Sequence, residues 1–292
     1  MNHDGKDVVD DLIGERGGMK ITNKNVYVAG NVNMPNNNFF SKHFFSIMYS
    51  INSVNSNNYI SLQEIFTCLS ILEKYKIPVF IGHKSSNIKD RDIIFYSSAI
   101  KNNPEIKEAK KNKIPCYNRS KLLQLICKDK FTIVVSGSHG KTSTTSILGH
   151  LLVRAGLNPT IISGGIMQNF GQNIYLTNSN YVVVEADESD GTVFKLSPKY
   201  LLFLNVDREH IDFYKSYSSF KSKIKNYILS QIKKDVKIFI NNDDNFLFSL
   251  KKYSKNLKTF GSNTKADYSY KLKELSDKKS SFQIYKGKKI IS

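Results

Sequence analysis

At 292 residues, with 40% hydrophobic side chains, the chain is long enough for about two domains with buried cores. It has no run of about 18 apolar residues and no apolar leader core, so neither a spanning helix nor a membrane partner is expected. The formal charge of +18 raises nucleic acid as a partner, but the lysines are scattered among Asn, Ile, Ser and Tyr, as an AT-rich coding bias would scatter them, so none is expected.

Three cysteines, Cys68, Cys116 and Cys127, lack metal-ligand spacing and suggest reduced thiols in a cytoplasmic protein. Met1–Gly18 is polar and acidic and is expected to be either a disordered extension or a start-site artefact, with Met19 then the true start. Residues 24–29 predict a short buried strand, and the aromatic-rich stretch 39–51 predicts a helix. Residues 61–75 carry apolar side chains at helical spacing, followed by strands at 78–81 and 92–96 and helices at 104–111 and 120–127. A second unit begins near residues 128–130, where polarity rises. Its predicted strands are 131–135, 160–162, 181–185, 201–206 and 236–240, and its predicted helices are 141–155 and 218–232. Strands alternating with helices imply an α/β fold with mostly parallel sheets.

Three polar motifs follow apolar strands of the second unit. The first is Ser136-Gly137-Ser138-His139-Gly140-Lys141-Thr142, set between a strand and a helix. Backbone N–H groups and a helix N-terminus cradle phosphates in that setting. Lys141 is then placed to reach β- and γ-phosphates, and the Thr142 hydroxyl to bind Mg²⁺. Val135 stands where the general phosphate-loop pattern has its first glycine, so this loop is a compact variant. The second motif, Glu185-Ala186-Asp187-Glu188-Ser189-Asp190-Gly191, packs four acids into six residues and suits a hard cation such as Mg²⁺. The third, residues 205–212, contains His210, a candidate metal ligand. Ligands gather outside the carboxyl ends of parallel strands, which is where all three motifs fall.

Taken together, these motifs resemble the muramate–alanine branch of the Mur ligase family. Gly137–Thr142 with the following Ser143-Thr144-Thr145 is similar to that branch's phosphate loop, and His139 points to it specifically. In the first unit, Gly82-His83, Tyr96-Ser97-Ser98-Ala99-Ile100, Asn103-Pro104-Glu105 and Ile114-Pro115 with Arg119 resemble the family's UDP-sugar domain. The resemblance implies a Rossmann-like UDP-sugar domain over 19–128 and a P-loop Mur-ligase central domain, incomplete, over 129–292. It implies an ATP-dependent ligase of peptidoglycan synthesis that joins L-alanine to UDP-N-acetylmuramic acid through an acyl phosphate. Gly137, Ser138, His139, Gly140, Lys141, Thr142 and Ser143 would bind ATP. Lys141, Glu185 and His210 would be catalytic, with Thr142 and Glu185 holding one Mg²⁺ and His210 a second. Ser97, Ser98, Arg119, Asp187, Glu188, Ser189 and Asp190 would contact the UDP-sugar substrate.

Two departures from the family accompany the resemblance. The first strand is followed by Gly30 and then Asn31–Asn38, including Pro35, in place of closely spaced glycines. The family's C-terminal amino-acid-binding domain is expected to be absent, or supplied by a separate chain. A non-catalytic nucleotide-binding remnant is the alternative expectation.

Overall fold

The computed structural model describes residues 26–30, 45–48, 79–81, 83–89, 91–96, 102–188, 191–208, 214–276 and 279–291. They fall into two compact units, Met1–Ile126 and Cys127–Ser292. The expected extension at 1–18 and helix at 61–75 lie outside the described residues.

In the first unit, five strands, β1 (Val26–Gly30), β2 (Phe45–Met48), β3 (Val79–Ile81), β4 (Ile93–Tyr96) and β5 (Cys116–Asn118), form a sheet in the order β3-β1-β2-β4-β5. β2, β4 and β5 are parallel, whereas β1 runs antiparallel to both of its neighbours. The helix expected over 39–51 is replaced at 45–48 by β2. Phe45 and Ile47 alternate with Ser46 there, and the aromatic and β-branched content suits a pleated surface better than a helix. Helix α1 (Pro104–Lys111) begins at Asn103, whose side chain accepts from the Ile106 N–H, and Pro104 fills the first turn, where its missing donor costs nothing. Helix α2 spans Arg119–Cys127. β4 is apolar on both faces: Ile94 packs with Ala109 and Ile106 of α1, and Ile93 and Phe95 pack with Leu122, Leu125 and Ile126 of α2. A parallel strand covered on both sides reads as a continuous apolar run for this reason.

The second unit is built on β6 (Phe131–Ser136), β7 (Thr160–Met167), β8 (Gln172–Tyr175), β9 (Tyr181–Glu185), β10 (Tyr200–Phe203), β11 (Lys237–Asn241), β12 (Lys258–Gly261), β13 (Tyr268–Leu275), β14 (Ser280–Lys286) and β15 (Lys289–Ile290). Their order is β15-β14-β13-β12-β11-β10-β6-β9-β7-β8. From β13 through β7 every pairing is parallel, while β8, β14 and β15 add antiparallel edges. Helix α3 (Lys141–Arg154) covers one face, its Leu148, Leu152 and Val153 packing on Ile133, Ile161 and Val183. Helix α4 (Tyr217–Ile232) is capped by Ser216 and buries Phe220, Ile224, Tyr227, Ile228 and Gln231, the one-sided spacing of an amphipathic helix. A short helix α5 (Asn245–Ser249) follows β11. The strand expected over 201–206 stops at Phe203, because Leu204–Val206 turns away to meet the loop after β6. β7 continues past its expected end through Gly164 and Gly165, with a register irregularity between Ile162 and Met167.

Candidate functional site

β6, β9 and β10 are parallel neighbours, so their carboxyl ends deliver three loops to one edge of the second sheet. The loop after β6 turns at Gly137 with φ +135°, and a Cβ there would stand 2.9 Å from the Asn205 backbone nitrogen. Only glycine satisfies both that torsion and that approach. The Ser138 N–H donates to Asn205 O at 3.1 Å. The His139 N–H donates to Asn205 Oδ1 at 2.7 Å, and Asn205 Nδ2 donates back to His139 O at 3.0 Å. Ser138 Oγ accepts from the Asp207 N–H at 2.9 Å, and His139 Nε2 lies 3.0 Å from Asp207 Oδ2. The phosphate loop is therefore fastened along its length to the loop leaving β10.

Gly140 caps α3, and Lys141, Thr142 and Ser143 form the first turn of that helix, the end at which exposed N–H groups and the helix dipole favour anions. Lys141 Nζ donates to Gly137 O at 2.7 Å and approaches Glu188 Oε2 at 3.2 Å and Asp187 Oδ1 at 3.8 Å. Glu188 is fully buried. Burial pushes its carboxyl above the usual range, and the Lys141 ammonium opposes that rise. Its backbone carbonyl also accepts the hydroxyl of buried Tyr214.

Glu185, the last residue of β9, has a different set of partners. Its carboxylate accepts from Thr142 Oγ1 at 3.0 Å, from Ser163 Oγ at 3.1 Å and from the Gly164 N–H at 2.7 Å. A Cβ at Gly164 would sit 2.8 Å from Glu185 Oε1, so β7 carries glycine where the carboxylate lies against its backbone. Among the described residues there is no group of three His, Cys, Asp or Glu side chains placed to hold a metal. The donor set nonetheless fits Mg²⁺: the Thr142 hydroxyl and Glu185 carboxylate converge as hard oxygen donors. Mg²⁺ usually takes one or two carboxylates and completes its shell with phosphates and water.

The structure thus brings together Gly137–Ser143, Glu185, Asp187 and Glu188. Arg119 opens α2 in the first unit. Ser97, Ser98, Ser189, Asp190 and His210 lie outside the described residues. Ser163 and Gly164 were not singled out from the sequence. The Gly164-Gly165 pair inside an otherwise β-forming segment was their signal, since glycine within a strand marks a bulge or a close approach. Acids farther along the same sheet edge have other uses. Asp244 Oδ1 caps α5 through the Leu247 N–H at 2.9 Å, and Oδ2 accepts from the Val206 N–H at 2.8 Å. Asp243 accepts from the Ser262 N–H at 2.7 Å and the Asn263 N–H at 3.3 Å.

Two family models match the chain: "Mur ligase family, catalytic domain" over residues 64–131 and "Mur ligase middle domain" over residues 135–291. The UDP-N-acetylmuramate–L-alanine ligase of Rickettsia bellii (strain OSU 85-389) is 44% identical over 158 residues, 54% of this chain and 33% of that protein. The enzyme of the same name from Aquifex aeolicus (strain VF5) is 39% identical over 223 residues, 75% of this chain and 49% of that protein. The crystal structure of the UDP-N-acetylmuramate–alanine ligase of Thermotoga maritima matches with a TM-score of 0.64 and 27% identity, covering 75% of this chain and 50% of that one. The chain thus spans between a third and a half of the length of these relatives. With the middle-domain match extending over more than half of its residues, on the unit that carries the phosphate loop and its two carboxylates, the chain belongs to the Mur ligase family.

Proposed function

We propose that this chain is the nucleotide-binding and UDP-sugar-binding part of an ATP-dependent ligase that joins L-alanine to UDP-N-acetylmuramic acid in peptidoglycan synthesis. One observation carries the reading: Lys141 and Thr142, consecutive residues at a helix N-terminus, each meet a carboxylate from the end of the neighbouring strand. That arrangement serves phosphoryl transfer, where positioning and charge neutralisation do most of the catalysis. In this reading an oxygen of the substrate's lactyl carboxylate attacks the γ-phosphorus of ATP and ADP leaves. The alanine amine then attacks the acyl carbon and phosphate departs. Lys141 neutralises the β- and γ-phosphates, and the N–H groups of 137–143 cradle them. Thr142 and Glu185 would hold one Mg²⁺ and His210 a second; when bound, these ions supply charge neutralisation at the transferring phosphoryl group.

The same reading assigns residues 19–128 to the UDP-sugar domain, with Ser97, Ser98 and Arg119 on the UDP. It assigns 129–292 to the ATP domain, with Asp187, Ser189 and Asp190 toward the muramoyl group. The alanine is held by a domain outside residues 1–292, on the same polypeptide or a separate chain. These substrates place the reaction in the cytoplasm; no helix among the described residues is long and apolar enough to cross a membrane.

The test is to incubate the chain with Mg²⁺ and ATP, with and without UDP-N-acetylmuramic acid, and to follow ADP release with hydroxylamine present to trap acyl phosphate. The expected result is ADP and hydroxamate formation that requires the sugar nucleotide and disappears in Lys141→Ala. ATP binding without any sugar-dependent turnover would sink the reaction while leaving the nucleotide site standing.

A further inference from the structure

Glu188 was expected at the substrate side of the site, yet it is fully buried and its carboxylate is turned onto Lys141. Lys141 is nearly buried as well, with its side chain 12% exposed. The three N–H bonds of its ammonium face three acceptor groups of the protein itself: Gly137 O at 2.7 Å, the Glu188 carboxylate at 3.2 Å and Ser138 O at 3.4 Å. The cation that phosphates need is therefore bent back over its own loop. Glu188 is fixed from behind, since the Tyr214 hydroxyl donates to its backbone carbonyl and Tyr214 stacks beside Phe220 of α4 at a ring separation of 4.6 Å. Glu185 takes no part in this, being occupied by Thr142, Ser163 and Gly164.

We propose that Glu188 is a positioning residue acting through Lys141, an internal anion that holds the lysine over its own loop and that the nucleotide's phosphates must displace. This rests on the reading of the loop as a nucleotide site. Two anions then compete for one nearly buried ammonium, and charge interactions are strong where water is excluded. Removing the charge of Glu188 should loosen the resting lysine and relieve its repulsion toward phosphate. It should also break a buried ion pair and so lower stability. Affinity and stability therefore move in opposite directions, whereas a purely structural role would lower both.

The experiment uses the full chain and its Glu188→Gln and Tyr214→Phe variants. The first readout is the rate at which trace acetic anhydride acylates Lys141, relative to Lys130, which precedes β6 at the end opposite the phosphate loop and whose ammonium donates to Ser179 O. The second is the Mg·ATP dissociation constant from calorimetry, and the third is the urea midpoint. In Glu188→Gln the Lys141:Lys130 labelling ratio should rise about ten-fold and Mg·ATP should bind several-fold more tightly, while the urea midpoint falls. Tyr214→Phe should move all three in the same directions by less, and it carries the test if Glu188→Gln does not fold. An unchanged labelling ratio, or nucleotide binding that stays the same or weakens in the folded variants, overturns the proposal. Absence of ATP binding by the parent chain overturns the nucleotide reading and this proposal together, whereas normal parent binding with unaltered variants overturns this proposal alone.

Discussion

Two acidic clusters sit at strand ends along the same edge of the second sheet, and they do different work. After β9, Glu185 and Glu188 turn toward side chains of the phosphate loop, Thr142 and Lys141. After β11, Asp243 and Asp244 are taken up by backbone N–H groups, those of Ser262, Asn263, Leu247 and Val206. The first cluster leaves groups that a ligand can engage, and the second closes turns. Acids at the carboxyl end of a parallel sheet are thus not a site in themselves; what they face decides.

The most severe way to probe this contrast is Lys141→Ala. It removes the cation from the loop and leaves Glu188 buried without its partner. Mg·ATP affinity should fall at least about 100-fold, and unfolding free energy by roughly 3 kcal/mol. Calorimetry and urea unfolding check both, and a nucleotide affinity close to the parent's would dissolve the distinction between the clusters.

Gly164→Ala comes next. The added methyl would lie 2.8 Å from Glu185 Oε1 and push the carboxylate away from Thr142. Overpacking of this kind costs roughly 1–3 kcal/mol, so Mg·ATP binding should weaken about ten-fold. Affinities measured across a Mg²⁺ titration should show the loss chiefly where Mg²⁺ saturates the parent.

Asp243→Ala should have the opposite profile. It releases two backbone N–H groups and should lower unfolding free energy by about 1 kcal/mol. Mg·ATP affinity should stay within about two-fold of the parent, as for a distant independent site. A large loss of nucleotide binding here would merge the two clusters into one.

The smallest effect concerns Asp267. Burial alone would raise its carboxyl. Hydrogen bonds from Lys251 Nζ and from the N–H and hydroxyl of Thr259, together with the Lys251 charge, outweigh that and hold it below the usual range. A carboxyl that is more acidic in the folded state contributes its stability above the unfolded value of about 3.9 and loses it as pH falls through the folded value. The difference in urea midpoint between the parent and Asp267→Asn should therefore be full at neutral pH and shrink below about pH 4. A difference that grows on acidification would reverse the assignment.

Much of this edge was legible in the sequence because its signals are local. Gly137–Thr142 follows an apolar run and opens a helix, and Glu185 and Glu188 follow another such run. The partnerships were not legible, since nothing local says that Lys141 will sit closer to Glu188 than to Asp187, or that Ser163 of β7 will donate to Glu185 of β9. Those follow from β9 lying between β6 and β7, a placement that pairs residues distant in sequence. Leu204–Val206 reads as strand by its apolar side chains, but Asn205 is drawn into pairing with His139 and Ser138, and that tertiary demand outweighs propensity. The reversed direction of β1 was hidden for a related reason. Apolar runs mark where a strand lies, not which way it points.

The position of β6 also governs when the site can come into being. It is the first strand of its unit to be made, beginning at Phe131, yet it lies between β9, which begins at Tyr181, and β10, which begins at Tyr200. On a ribosome the phosphate loop emerges early and then waits. Neither flank of β6 can be paired until those later strands have cleared the exit tunnel, and non-local parallel pairing of this kind is slow. Until then the apolar run Ile133–Val135 has neither of its sheet neighbours to pair with.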